Sequence, residues 1–238
     1  MIKVSATGVN PDEYVYKTNL KFGDEVASRI LNQVNQNLSF FERRIKYNDG
    51  RTMASSRDLI HQIGIEKARE IYRRKNQVLA QFPNEDFIEF KQYFCGPQYD
   101  ELILDTVPEF LKTICPGEPK PILQVSDSEE KIGLLPPHCG HKRLSSMFML
   151  LQGSGQITKW YRKTAPFEVI SPLHIPDLDK IEEVVTAELE PNIWYVFNHR
   201  AWHSVHRFEA GALSRVSIGI DFDSISAPDL VKLTKQYE

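Results

Sequence analysis

The hydrophobic period of this chain changes near residue 117, and no other feature constrains the fold as much. Upstream, apolar residues recur at steps of three and four; downstream, they alternate in short runs broken by Pro, Gly and Asn. Val26, Ile30, Leu31, Val34, Leu38 and Phe41 predict an amphipathic helix from Asp24 to Arg44, with Asp24 as its cap. Leu59, Ile60, Ile63, Ile71, Val78 and Leu79 predict a second helix from Ser56 to Phe82, which Gly64 can break in two. Shorter helices are predicted near Asp86 to Phe94 and near Asp100 to Thr113, with Pro108 bending or starting the latter. After Pro119 the runs ILQV, KIGLLP, LSSMFMLL, ITKWY, EVVTAEL, IWYVF, WHSVHRF and RVSIGIDF read as strands. That many strands in about a hundred residues suit a sandwich or a closed jelly roll, with the helices covering an outer sheet face.

Composition narrows the function classes. The chain is 41% hydrophobic and 26% charged with a net charge of -3, so it should fold as an ordinary globular protein and is not built to coat nucleic acid. No Pro/Gly/Ser-rich or charge-block linker interrupts it, which predicts one domain over residues 1–238. Within it, 1–117 is expected to be mainly helical support, 118–225 the jelly-roll core and 226–238 a tail or helix. Cys95, Cys115 and Cys139 are too irregularly spaced for a disulfide framework, and neither a signal peptide nor a membrane-length apolar run is present. The expectation is a cytoplasmic protein with reduced thiols and no membrane or nucleic-acid partner. Lys67, Arg69, Arg73, Arg74 and Lys75 could form a phosphate-binding face, but the interspersed Glu66 and Glu70 favour the solvated side of a surface helix.

The last strand carries chemistry. Val216, Ile218, Ile220 and Phe222 alternate with Arg215, Ser217, Gly219 and Asp221, giving one apolar and one polar face. An arginine and a serine two residues apart can hold a carboxylate together; equally, the polar face of an edge strand can simply meet solvent. Just upstream, His199, His203 and His206 form one histidine cluster, and His138 and His141 form another. Neutral imidazole ligates divalent iron, zinc and copper, so two clusters flanking the strand-rich region raise the case for a metal.

In the order PPHCGHKR, ITKWY, WHSVHRF, SRVSIGI, the chain resembles the iron(II)/2-oxoglutarate-dependent oxygenase superfamily, including its small phage and bacterial members. The resemblance covers roughly residues 120 to 223. It implies an α+β chain with a double-stranded β-helix, a cupin-like jelly-roll barrel, and Fe(II) and 2-oxoglutarate as cofactors. It further implies His138 and His203 as metal ligands, Arg215 and Ser217 as the anchor for the distal carboxylate of 2-oxoglutarate, and Tyr161 as a further hydrogen-bond donor to it. The partner would be a small-molecule or peptide substrate, hydroxylated at a C–H bond.

One position departs from the family pattern. Where the family has a carboxylate two residues after its first histidine, this chain has Gly140. Three explanations compete: the vacated position accepts a halide or water; His141 swings in to make a three-histidine, cupin-type site; or the barrel has lost iron and serves as a binding or phage structural module. Cys139 is read as a packing residue facing away from His138, because neighbours on a strand point to opposite faces. Trp160 and Trp202 are read as core, and Lys159 and Arg143 as solvent-exposed. No phosphate-cradling glycine loop, nucleotide fingerprint or serine-nucleophile elbow is present.

Overall fold

The computed structural model describes residues 1–43, 63–84, 86–87, 90–114, 120–126, 133–140, 143–153, 155–169, 176–208 and 215–238. Among these residues, thirteen strands form two sheets. Ten of them are β1 (Ile2–Val4), β2 (Val15–Lys21), β3 (Glu42–Arg43), β4 (Asp86–Phe87), β5 (Phe90–Phe94), β6 (Ile122–Ser126), β7 (Gly133–His138), β8 (Ser145–Gln152), β9 (Ile157–Lys163) and β10 (Ile181–Ala187). The others are β11 (Ile193–Asn198), β12 (Trp202–Phe208) and β13 (Val216–Phe222). One sheet runs β2-β11-β8-β13-β6-β5-β3, the other β1-β10-β9-β12-β7-β4. From β6 onward the chain passes back and forth between the sheets, and β6, β13, β8 and β11 face β7, β12, β9 and β10. That exchange is the jelly-roll, cupin-like β-sandwich, and all eight expected strands take part in it.

Among the described residues, the α-helices are α1 (Asp24–Gln36), α2 (Ile65–Gln81), α3 (Pro97–Leu104), α4 (Glu109–Ile114) and α5 (Ala227–Thr234). Ala27, Ile30 and Val34 of α1, spaced three and four apart, pack with Tyr99 and Ile103 of α3 and Leu230 and Val231 of α5. Together they cover the outer face of the larger sheet, where Leu123, Met147, Met149, Val216, Ile218, Ile220 and Phe222 are buried. Full burial of one such side chain contributes about 1.5–3 kcal/mol. Because the apolar face of β13 is spent on this outer layer, its polar face must point between the sheets. On the smaller sheet, α2 docks through Val78 against Leu134 of β7.

The N-terminal half is less helical than its spacing suggests. It supplies five strands that extend both sheets, and the segment expected to be a helix from Asp86 to Phe94 is instead β4 and β5. The aromatic-rich Phe90–Phe94 run pairs with β6 over five residues and buries Tyr93, so tertiary pairing at an open sheet edge overrides a coincidental helical spacing. α1 stops at Gln36 rather than Arg44, because Asn37 is extended and its side chain accepts from the Ser39 amide to start a new turn. Gly23, not Asp24, is its N-cap; Asp24 sits in the first turn, where a carboxylate suits the helix dipole. Gly64, at φ 82°, starts α2, and the predicted helical stretch 56–62 lies outside the described residues. The basic run on α2 is largely paired: Arg69 with Glu66, Arg73 and Arg74 with Glu70, and Lys67 with Glu168. Arg74 and Lys75 are nevertheless buried rather than solvated. Among the described residues, no helix is long and apolar enough to cross a membrane.

Candidate functional site

Between the sheets lies a cavity of about 50 Å³, lined by residues that include His138, His199, His203, Arg143, Asp221 and Arg215. Two histidines define its centre. His138 ends β7 and His203 is the second residue of β12, and the antiparallel register sets them directly opposite one another. Their ring centroids are 4.2 Å apart. Each Nδ1–H donates to the carbonyl two residues earlier, His138 to Pro136 at 2.9 Å and His203 to Ala201 at 3.0 Å. In the neutral imidazole, a proton on Nδ1 puts the lone pair on Nε2, and the bonds orient both rings, as metal-ligating imidazoles require. Together the pair would offer two neighbouring nitrogen ligands to a divalent ion.

The third position is occupied differently. A Cβ built on Gly140 would stand 3.0 Å from the Cβ of His199 and 3.2 Å from the carbonyl oxygens of His199 and Arg143. The Gly140 amide also donates to the His199 carbonyl. The Cβ and carbonyl of His199 and the carbonyl of Arg143 thus crowd the space in which a side chain at position 140 would begin. His199 itself stands 5.4 Å, centroid to centroid, from His203, with its Nε2 2.8 Å from Ser146 Oγ and 3.9 Å from Asp221 Oδ1. Asp221 is in turn held by Arg143 at 3.1 Å through both carboxylate oxygens. Serine, histidine and aspartate here do not make a nucleophilic triad, because the carboxylate lies on the Nε2 side, whereas a triad needs it on Nδ1. Among the described residues, no group of three His, Cys, Asp or Glu side chains is positioned to hold a metal ion as it stands. His141, the proposed substitute ligand, lies outside the described residues.

Arg215 enters the cavity from the start of β13. It is 3% exposed, its Nη1 donates to Ser217 Oγ at 3.2 Å, and its guanidinium lies 5.2 Å from the Phe148 ring centroid. The main chain there is pinned to β6, since the Arg215 amide donates to Ser126 Oγ and the Ser126 amide donates to the Arg215 carbonyl. Burial penalises the charged form and pulls the Arg215 pKa down to about 9. A guanidinium in so dry a place is strongly stabilised by an anion. Arg215 and Ser217, for which the sequence left open both a joined grip on a carboxylate and a solvent-facing edge, are buried and bonded to each other.

Tyr161 does not join them. Its hydroxyl is 2.8 Å from Ser204 Oγ, which is 2.6 Å from His206 Nε2, and the His206 ring packs at a tilt against Phe82 beside α2, with centroids 4.4 Å apart. Ser204 and His206 alternate with the cavity-lining His203 and Val205, so this network occupies the opposite face of the smaller sheet. His206 is neutral there: burial first, then the Lys159 charge, lower its pKa to about 3. Cys139 is partly exposed and its thiol pKa is raised by burial, consistent with packing rather than reactivity. Trp160 and Trp202 are core, as expected, but Arg143 and Lys159 are engaged with Asp221 and Glu183 rather than bathed in solvent.

Sequence reasoning passed over Gln92, Gln124, Ser146, Thr158 and Phe148, which also line the cavity. Gln124 and Ser146 could have been found from the inward parity of their strands. Gln92 could not, because it lies in the segment whose spacing looked helical.

No family model matches the sequence, and no curated protein matches it. Solved structures with similar folds include a prolyl hydroxylase from Trichoplax adhaerens in complex with a hypoxia inducible factor oxygen degradation domain peptide. It is 12% identical with a TM-score of 0.36, and covers 87% of this chain and 93% of that one. The E. coli protein ycfD is 12% identical with a TM-score of 0.36, covering 62% of this chain and 37% of its own. Vicilin from Capsicum annuum is 9% identical with a TM-score of 0.32, covering 59% and 29%. The chain thus spans well under two thirds of the ycfD and vicilin chains. At these values the likenesses carry no functional argument, and the architecture rests on the strand order itself.

Proposed function

We propose that this cavity binds divalent iron through His138 and His203 and 2-oxoglutarate through Arg215 and Ser217, as a 2-oxoglutarate-dependent oxygenase-like protein acting on a small-molecule or peptide substrate in the cytoplasm. The observation that carries the reading is the convergence, in one cavity, of two imidazoles with pre-set Nε2 lone pairs and a buried guanidinium bonded to a serine hydroxyl. The donor set fits in two protein positions and lacks a third. When bound, the iron would couple oxidative decarboxylation of the keto acid to hydroxylation of a C–H bond. The chain's own residues do the rest: Pro136 and Ala201 carbonyls hold the imidazoles in register, Arg215 and Ser217 orient the diacid, and Phe148, Leu135 and Val205 keep its path dry.

Anaerobic titration with iron(II) and 2-oxoglutarate tests this directly. The expected result is a weak visible metal-to-ligand charge-transfer band that needs both components and is lost in His203→Ala. The missing third donor favours one rival, a barrel that binds a diacid without iron. Saturable 2-oxoglutarate binding that is indifferent to iron, with no band at saturation, would establish that rival in its place.

A further inference from the structure

Three adjacent strands of the larger sheet present a row of polar side chains to the deep end of the cavity. Gln92 on β5 is the register partner of Gln124 on β6, and Gln124 is the register partner of Ser217 on β13. Both glutamines line the cavity with Arg215. Gln92 is 7% exposed, and its Oε1 is buried with no hydrogen-bond partner among the described residues. A buried amide oxygen left unmatched is costly, and such a group facing a cavity points to a ligand. A terminal amide can turn over to present either its oxygen or its NH2 group.

We infer that Gln92 is a specificity-determining residue for the diacid: with Gln124, Ser217 and Arg215, it completes a cradle for the distal carboxylate. A carboxylate has about four lone-pair sites to fill, and these four side chains can supply four donors once the Gln92 amide turns its NH2 inward. β5 lies outside the eight-strand barrel core and comes from the N-terminal part of the chain. The added strand therefore does more than extend a sheet: it selects a keto diacid over a keto acid with a single carboxylate. The inference rests on the 2-oxoglutarate reading above.

The test measures binding of 2-oxoglutarate and of 2-oxobutanoate, which lacks the distal carboxylate, to the full chain in the presence of Mn(II) by calorimetry. Gln92→Leu should weaken 2-oxoglutarate by about 10-fold, the size of one lost charge-assisted hydrogen bond, and leave 2-oxobutanoate unchanged. Gln92→Glu should weaken it further by like-charge repulsion. Should the variants fail to fold, the side-chain NH2 resonances of Gln92 in the wild-type chain serve instead. They should shift on adding 2-oxoglutarate and stay put with 2-oxobutanoate. Equal loss for both acids, no loss for either, or unmoved Gln92 resonances at saturation would overturn the assignment while leaving the proposed function standing. Absence of any 2-oxoglutarate binding to the wild type would remove both.

Discussion

Placing a carboxylate at position 140, where the resembled family carries one, is the perturbation that most sharply separates the structure from the sequence motif. From the motif alone, Gly140→Asp should supply the absent ligand and tighten metal binding. The geometry says otherwise. Any side chain at 140 brings a Cβ to 3.0 Å from His199 Cβ and 3.2 Å from two main-chain oxygens, a few tenths of an ångström short of ordinary contact. None of these atoms can swing aside as a side-chain tip would, and the Gly140 amide bond to the His199 carbonyl ties the two segments together. Overpacking of this kind costs about 1–3 kcal/mol. For a chain of this length each kcal/mol moves the melting temperature by roughly 2–4 °C, so Gly140→Ala should melt about 2–12 °C lower than the wild type. Gly140→Asp should fall at least as far and bind Mn(II) no more tightly than Gly140→Ala. The pair is informative because both carry the same Cβ and only one carries a carboxylate. Calorimetric melting and Mn(II) titration read the two effects separately. A Gly140→Asp variant of wild-type stability with tighter metal binding would refute the claim that His199 closes this position.

Other perturbations probe the remaining parts. His203→Ala should abolish most of the iron taken up by purified protein, measured by elemental analysis, whereas equal metal content would remove His203 from the ligand set. Arg215→Ala should weaken 2-oxoglutarate by at least about 10-fold, as expected for losing a charged hydrogen-bonding partner, and change Mn(II) affinity little; parallel losses would contradict the separate roles. His206 predicts a pH dependence: its folded pKa of about 3 lies below the ordinary histidine value, so the unfolded state takes the proton first as pH falls. Its contribution is therefore complete above about pH 6.5 and is lost on acidification. Between pH 7 and pH 5, wild-type stability should drop by about 2 kcal/mol more than that of His206→Gln in urea unfolding; matching slopes would mean that His206 protonates freely in the fold. Ile30→Ala, at the α1 contact with the larger sheet, should cost about 2–5 kcal/mol by the same assay, and a change under 1 kcal/mol would show that the helix is not docked.

The sequence by itself determined the barrel. Eight short runs became eight strands, and the parity of Arg215, Ser217 and Asp221 against Val216, Ile218 and Ile220 already put the two sets on opposite faces, while packing decided that the apolar set meets the helices and the polar set the cavity. Such parity is local, because a strand turns alternate residues to opposite sides whatever its partners. Only tertiary structure could decide the rest. Register placed His138 against His203, which lie far apart in the chain. The open edge of β6 turned the Phe90–Phe94 segment into a strand and so brought Gln92 to the cavity. The same logic explains Tyr161, whose parity on β9 sends its hydroxyl to Ser204 on the far face, and Gly140, whose missing side chain answers to the main chain of His199. Periodicity reports which face a residue takes; which neighbour waits on that face is settled by pairings between distant segments, and those are paid for by the whole fold at once.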